Sequence, residues 1–346
     1  MGRGLHLCSH AIALGLACSM TPPQRKRNPL RVIPARKGGS PNWKVEYDHQ
    51  NPPDIYFDTN VWIGMNDNDA ALLERLERKR RFLYRYSITN YCELLSHFED
   101  LPSASCTNPF AKYQSCFRKI IGLCDAEVLP SPEMEFLILA RLEKYLDAAW
   151  IPNFRQTAIG VEVAANAQNL AELTGYPEEE NRLGNVPRYV IKPSHYRRLR
   201  DTDGESFTRI MQILKEVSPP IKGFHKQKLD KLFIWFMNLA QFFFLVRPSN
   251  GRVSYDVLDP EEKERFAKAF YDDGGKLFHI HCVQIAKTTI NDRRNVYPND
   301  LYDAMQLLHL KDKNRLFVTD DGFFYRYKID PEIQRVLPWS AFKSSE

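Results

Sequence analysis

The stretch "DIYFDTNVWIGM", Asp54 to Met65, ends an apolar run on a carboxylate, Asp58. A Thr-Asn pair and apolar residues at helical spacing follow it. Acids stand at comparable places elsewhere. Glu93 falls in the first turn of the helical segment after "YSIT", Asp300 and Asp303 open "NDLYDAMQLL", and Asp320 and Asp321 follow "LFVT". Clustered carboxylates repel, so cations must neutralise such a set if its members meet. Oxygen ligands with no neighbouring cysteine select Mg²⁺ or Mn²⁺ over zinc. Two such ions about 4 Å apart activate water and stabilise the leaving oxygen of a phosphodiester. Each acid also has a structural explanation. Asp58 can cap the next helix, and Glu93 lies at capping-box spacing from Asn90. Asp300 and Asp303 suit a helix dipole, and "DDG" is turn chemistry.

The elements that must position these acids alternate. "DIYFD" predicts a buried strand, and "AALLERLERKRR" a helix with Leu72, Leu73 and Leu76 inward. "FLYRYSIT" predicts a second strand and "NYCELLSHF" a helix capped by Asn90. After residue 276 the pattern returns: a helix over "NDLYDAMQLLHLKDKN", a strand at "RLFVT" and a last strand at "IQRVLPW". Strand-helix alternation of this kind predicts an α/β fold with a mostly parallel sheet, whose ligands bind outside the carboxyl ends of its strands. Between these parts the sequence predicts helices over "PEMEFLILARLEKYLDAAW", "GVEVAANAQNLAELTG" closed by Gly175, "DGESFTRIMQILKEV" and "KQKLDKLFIWFMNLAQFFFLV". A loop is predicted over "YPEEENRLGNVPRYVIKP". The expected organisation is a basic, flexible arm over 1–45, an α/β core over 46–100 and 276–346, and a helical insertion over 101–275.

"FDTNVW", "SITNYCELL", "DLYDAMQLL" and "LFVTDDGFF" together resemble the PIN domain, a family of metal-dependent nucleases. The resemblance spans roughly 54–100 and 295–340. It implies a PIN-like three-layer fold with a central sheet, interrupted here by the helical insertion. It also implies a Mg²⁺- or Mn²⁺-dependent nuclease, with RNA favoured over DNA. Asp58, Glu93, Asp303 and Asp321 match the family's acidic positions, with Asp300 and Asp320 as close competitors for metal. Asn60 and Thr319 match polar positions that orient the acids. The insertion between Glu93 and Asp303 departs from the compact family pattern, and the resemblance assigns it no role.

The chain has 346 residues, 43% of them apolar and 26% charged, which suits a globular protein with a sizeable core. A net charge of +5 is compatible with a polyanionic partner. Lys287, Arg293 and Arg294, just before Asp300, are the candidate nucleic-acid contacts. "ERKRR" (Glu77 to Arg81), Arg85 and "HYRRLR" (His195 to Arg200) add charge, with Tyr84, Tyr86, Tyr196 and Tyr297 interleaved; such a combination suits a single strand. "ERKRR" reads better as a solvated helix face. Seven cysteines without a C-x-x-C pair fit a reducing cytosol rather than a disulfide framework. "HIHC" (His279 to Cys282) lacks a partner pair at zinc spacing, and "NDND" (Asn66 to Asp69) reads as a helix cap rather than a calcium loop. "LHLCSHAIALGLACSM" is a poor signal sequence, and the apolar run Leu232 to Val246 is short for a bilayer and broken by Asn238 and Gln241; neither predicts secretion or a membrane span.

The leading expectation is therefore a cytoplasmic endoribonuclease, with a homo-oligomer or a regulatory protein as further possible partners. The alternative is a non-catalytic PIN-like module whose insertion contacts a partner. A phosphatase-like hydrolase is disfavoured by the absence of D-x-D-x-T after the first strand.

Overall fold

The computed structural model describes residues 30–34, 43–124, 128–145, 154–173, 192–217, 255–271, 275–291, 294–297, 299–322, 324 and 334–344. The leader, Gly175, the apolar run Leu232 to Val246 and nearly all of the predicted loop at 176–193 lie outside the described residues. Strands β1 (Arg31–Pro34) and β2 (Trp43–Glu46) pair antiparallel, with Val32 opposite Val45. Both strands begin within the segment predicted as a basic, flexible arm. Leu30, Val45 and Tyr47 supply apolar surface that packs against the core, enough to order the pair despite the local positive charge.

The chain then runs through β3 (Asp54–Phe57), α1 (Thr59–Gly64), α2 (Asp67–Arg80), β4 (Leu83–Arg85) and α3 (Ile88–Ser96). Next come α4 (Pro109–Leu123), α5 (Pro132–Leu139), α6 (Phe154–Asn166), α7 (Pro193–Val217), α8 (Pro260–Tyr271) and α9 (Lys276–Ile290). Finally α10 (Asp300–Gln306), β5 (Arg315–Thr319), β6 (Val336–Pro338) and α11 (Trp339–Lys343) complete the order.

Four strands form one sheet in the order β4-β3-β5-β6, all parallel. Alternation along β3 and β5 sends Ile55, Phe57, Leu316 and Val318 into one apolar cluster and Tyr56 and Phe317 into another. Both faces are therefore covered, as a parallel sheet requires. Burying each of these aliphatic and aromatic side chains contributes about 1.5–3 kcal/mol. The first cluster takes Val61, Trp62, Leu73, Leu94, Phe117 and Val161 from α1, α2, α3, α4 and α6. The second takes Phe136, Met211, Phe266, Ile285 and Met305 from α5, α7, α8, α9 and α10. Helices from segment 101–275 thus share their cores with the sheet on both of its faces.

Local signals decide several element ends. Asn66 caps α2, as "NDND" predicts, and the structure adds a capping box in which it exchanges hydrogen bonds with Asp69. The helix predicted from Pro132 to Trp150 stops at Leu139, and Arg141 turns left-handed at φ 55°. A short 3-10 turn at Glu143–Tyr145 follows. The segment "GVEVAANAQNLAELTG" divides in the same way, into α6 and a 3-10 turn at Leu170–Leu173. The helix expected over "DGESFTRIMQILKEV" extends ten residues further toward the N-terminus and takes in "HYRRLR".

Candidate active site

β3 has β4 on one side and β5 on the other, so the direction of strand order reverses between β3 and β5. Such a switch point opens a crevice outside the carboxyl ends of the two strands. Asp58 follows β3 there, and Asp321 lies just past β5. The pairing continues one residue beyond β3, because the Asp58 amide donates to the Val318 carbonyl at 2.9 Å. Thr319 joins the two strand ends. Its hydroxyl donates to Asp58 Oδ2 at 2.6 Å and accepts from the Asp321 amide at 3.0 Å.

Two helices close on the same crevice. From α10, one turn beyond Asp303, the fully buried Gln306 donates through Nε2 to Asp58 Oδ1 at 3.1 Å. Its Oε1 accepts from the Tyr56 hydroxyl at 3.1 Å, which fixes which way the amide points. Tyr56 in turn contacts Ser87 Oγ at 2.9 Å. From α3, Asn90 Nδ2 donates to the Phe57 carbonyl at 3.2 Å and to Thr59 Oγ1 at 3.0 Å, locking the helix that holds Glu93 to the end of β3.

Asn90 is not the cap of α3, which corrects the sequence expectation. Ser87 is the cap, and it forms the capping box with Asn90 at the third helical position. Both residue types cap well; the short β4 lets the helix begin at Ile88. Glu93 is thereby relieved of any capping role. Asp58 occupies the cap position of α1, yet its side chain closes no capping hydrogen bond. The nearby Asn60 amide favours its charge, while both carboxylate oxygens are held by Gln306 and Thr319.

Electrostatics bind the acids into one group. Burial, and then the charges of Asp58, Glu93, Asp321 and Asp300, push the Asp303 carboxyl well above the usual range. Burial and the Asp58 charge push Glu93 up to about 7, although the Thr59 hydroxyl and the Arg200 guanidinium favour its ionised form. Burial also raises Asp58 against the stabilising bonds from Thr319 and Gln306, and Asp321 raises it further. Glu93 Oε2 is buried with no hydrogen-bond partner among the described residues. An oxygen-only donor set with mutual repulsion and an orphaned carboxylate oxygen fits a hard divalent cation. Among the described residues, no group of three or more His, Cys, Asp or Glu side chains already stands in a metal-holding arrangement.

The remaining candidates separate. Asp300 is buried but fully engaged: Arg294 Nη2 lies 2.6 Å from its Oδ1, and the Tyr297 amide donates to its Oδ2 at 2.9 Å. Asp320 is exposed, and the charges beside it are Lys343 and Asp69, on the α11–α2 side of the sheet. Asn60 is exposed and acts through its backbone amide; Thr319 does orient Asp58. Lys287 is half-buried in the last turn of α9, and Arg293 lies outside the described residues.

The "ERKRR" segment closes α2 just before β4 begins, at the opposite rim from the acids, and is solvated. Arg85 is buried and pairs with Asp54 at 3.2 Å. Tyr84, Tyr86 and Tyr196 are core residues, whereas Tyr297 is 55% exposed. The expected groove of interleaved aromatics therefore reduces to Tyr297. His281 of "HIHC" is buried and stacks on Phe324, and burial lowers its pKa to about 3.

Sequence reasoning missed Gln306, Tyr56, Ser87 and Thr59. Gln306 left one sign, a polar residue in the apolar stripe of "DAMQLL". Comparison with family models, with characterised proteins and with solved structures gives no match for this chain. Among the described residues, no helix is long and apolar enough to cross a membrane.

Proposed function

We propose that this chain is a PIN-like nuclease, dependent on Mg²⁺ or Mn²⁺, that hydrolyses phosphodiester bonds of RNA. One observation supports it above the others. Asp58 after β3, Glu93 of α3 and Asp321 after β5 each raise the pKa of Asp303 in α10, beside the switch point of the sheet. The preference for RNA and for a cytoplasmic setting rests on the family resemblance and on cysteine usage.

Asp58, Glu93, Asp303 and Asp321 would hold the cation. When bound, it supplies Lewis acidity toward the phosphate and its attacking water. The chain's own residues set the stage. Thr319 and Gln306 hold the Asp58 carboxylate in one orientation, and Asn90 pins α3 so that Glu93 faces the crevice. Burial and the neighbouring acids favour the protonated form of Asp303, and a bound cation would favour its ionised form. Asp300 and Asp320 fall outside the ligand set, because Arg294 and the Tyr297 amide engage the first and the second faces Lys343.

A non-catalytic PIN-like module is the second reading. Labelled RNA and DNA incubated with Mn²⁺ or EDTA distinguish the two. Under the nuclease reading, cleavage requires Mn²⁺ and falls to background in Asp303→Asn. Absence of cleavage, with Mn²⁺ raising the melting temperature of wild type and Asp58→Asn equally, favours the module.

A further inference from the structure

The loop before α10 contains an arrangement that the metal chemistry does not use. Tyr297 is 55% exposed while its backbone is fixed from both sides. Its amide donates to Asp300 Oδ2 at 2.9 Å, and its carbonyl accepts from the Asp300 amide at 3.0 Å. The neighbouring Val296 packs against the core. The main chain that carries the exposed ring is thus held in place. The Arg294 guanidinium lies 5.6 Å from the ring centroid, within cation–π range, and is itself pinned 2.6 Å from Asp300. Asp300 begins α10, and Asp303 lies on the next turn.

We propose that Tyr297, steadied by Arg294, is a stacking platform for an unpaired nucleobase beside the phosphate at the acidic rim; this assignment rests on the phosphodiester reading of those acids. The chemistry selects the ligand class. A flat, exposed aromatic ring offers its face to a base, and the guanidinium fixed beside it steadies the ring. Bases inside a duplex have no free face to offer, so a single strand or loop is specified. A purely structural role for Tyr297, as a cover for Arg294, predicts no preference for bases.

The test uses the full chain in EDTA, where cleavage is suppressed. Two fluorescent strands of equal charge are compared, a short oligouridine and its abasic counterpart. The expected result is that wild type binds the base-bearing strand about tenfold more tightly. Tyr297→Ala should remove that margin, and Tyr297→Phe should keep it. Equal affinity for the two strands, a margin untouched by Tyr297→Ala, or no binding of either strand would overturn the platform. Parallel cleavage assays with Mn²⁺ separate this inference from the reading beneath it. An intact, Tyr297-dependent margin without cleavage keeps the platform and removes the nuclease. Metal-dependent cleavage with no Tyr297-dependent margin does the reverse.

Discussion

Glu93 shows how one residue couples stability to ligand. Its pKa rises from 4.5 to about 7, first through burial and then through Asp58. The folded chain therefore keeps a proton that the unfolded chain has already released. The sign follows: the contribution of Glu93 to metal-free stability falls as pH rises between the two values and levels off above about 7. A divalent cation competes with that proton, so stabilisation by Mn²⁺ should grow over the same window. Thermal melts in EDTA and in Mn²⁺, taken from about pH 5 to 8, should show opposite slopes. Glu93→Gln should make the EDTA slope shallower. Identical slopes in wild type and Glu93→Gln would show that Glu93 titrates normally.

Among the elements, α3 decides whether the acids meet, because it is the one that brings Glu93 to the strands. Its first turn is fixed by the box between Ser87 and Asn90, and Asn90 reaches on to Phe57 and Thr59. Ser87 is fully buried, and its hydroxyl also meets Tyr56. Ser87→Ala removes the cap and leaves the Asn90 amide and Tyr56 each short of a partner. The expected cost is about 2 kcal/mol, seen as a lower urea midpoint at unchanged slope. Helix α6 packs against the same helix through Gly160, where any Cβ would collide with the Tyr91 ring. Helix α7 anchors the far end of α3: Arg197 binds the Ser96 carbonyl at 3.0 Å and Asp100 at 2.7 Å. Arg200 from α7 bonds Ser96 Oγ at 2.9 Å and acts electrostatically on Glu93.

For the whole molecule, the two rims of the sheet do different work. At the amino ends of β3 and β5, Asp54 joins Arg315 at 3.4 Å and, from the last residue of β4, Arg85 at 3.2 Å, and both arginines are buried. Opposite charges pair there. At the carboxyl ends like charges gather and destabilise the metal-free chain. Asp54→Ala would leave two guanidiniums buried without this carboxylate and should cost about 3 kcal/mol. Urea denaturation measures that loss. The increment in melting temperature given by Mn²⁺ should match wild type, because the acids lie at the other rim. A smaller increment would mean that the two rims are not independent.

The buried strands β3 and β5, the helix cap at Asn66 and the acids at strand and helix ends could all be read from the sequence. Each is encoded within a few neighbouring residues, and backbone geometry turns such spacing directly into a face or an end. Which acids would share a field could not be read in this way. Asp58 is held by Gln306 and Thr319, 248 and 261 positions along the chain. Asp320 and Asp321 are adjacent in sequence, yet the first faces Lys343 and the second adds its charge to Asp58 and Asp303. Four tyrosines looked alike beside basic residues, and folding buried Tyr84, Tyr86 and Tyr196 while leaving Tyr297 at the rim. Burial and charge are set by what surrounds a side chain in space, so the tertiary structure alone decided them.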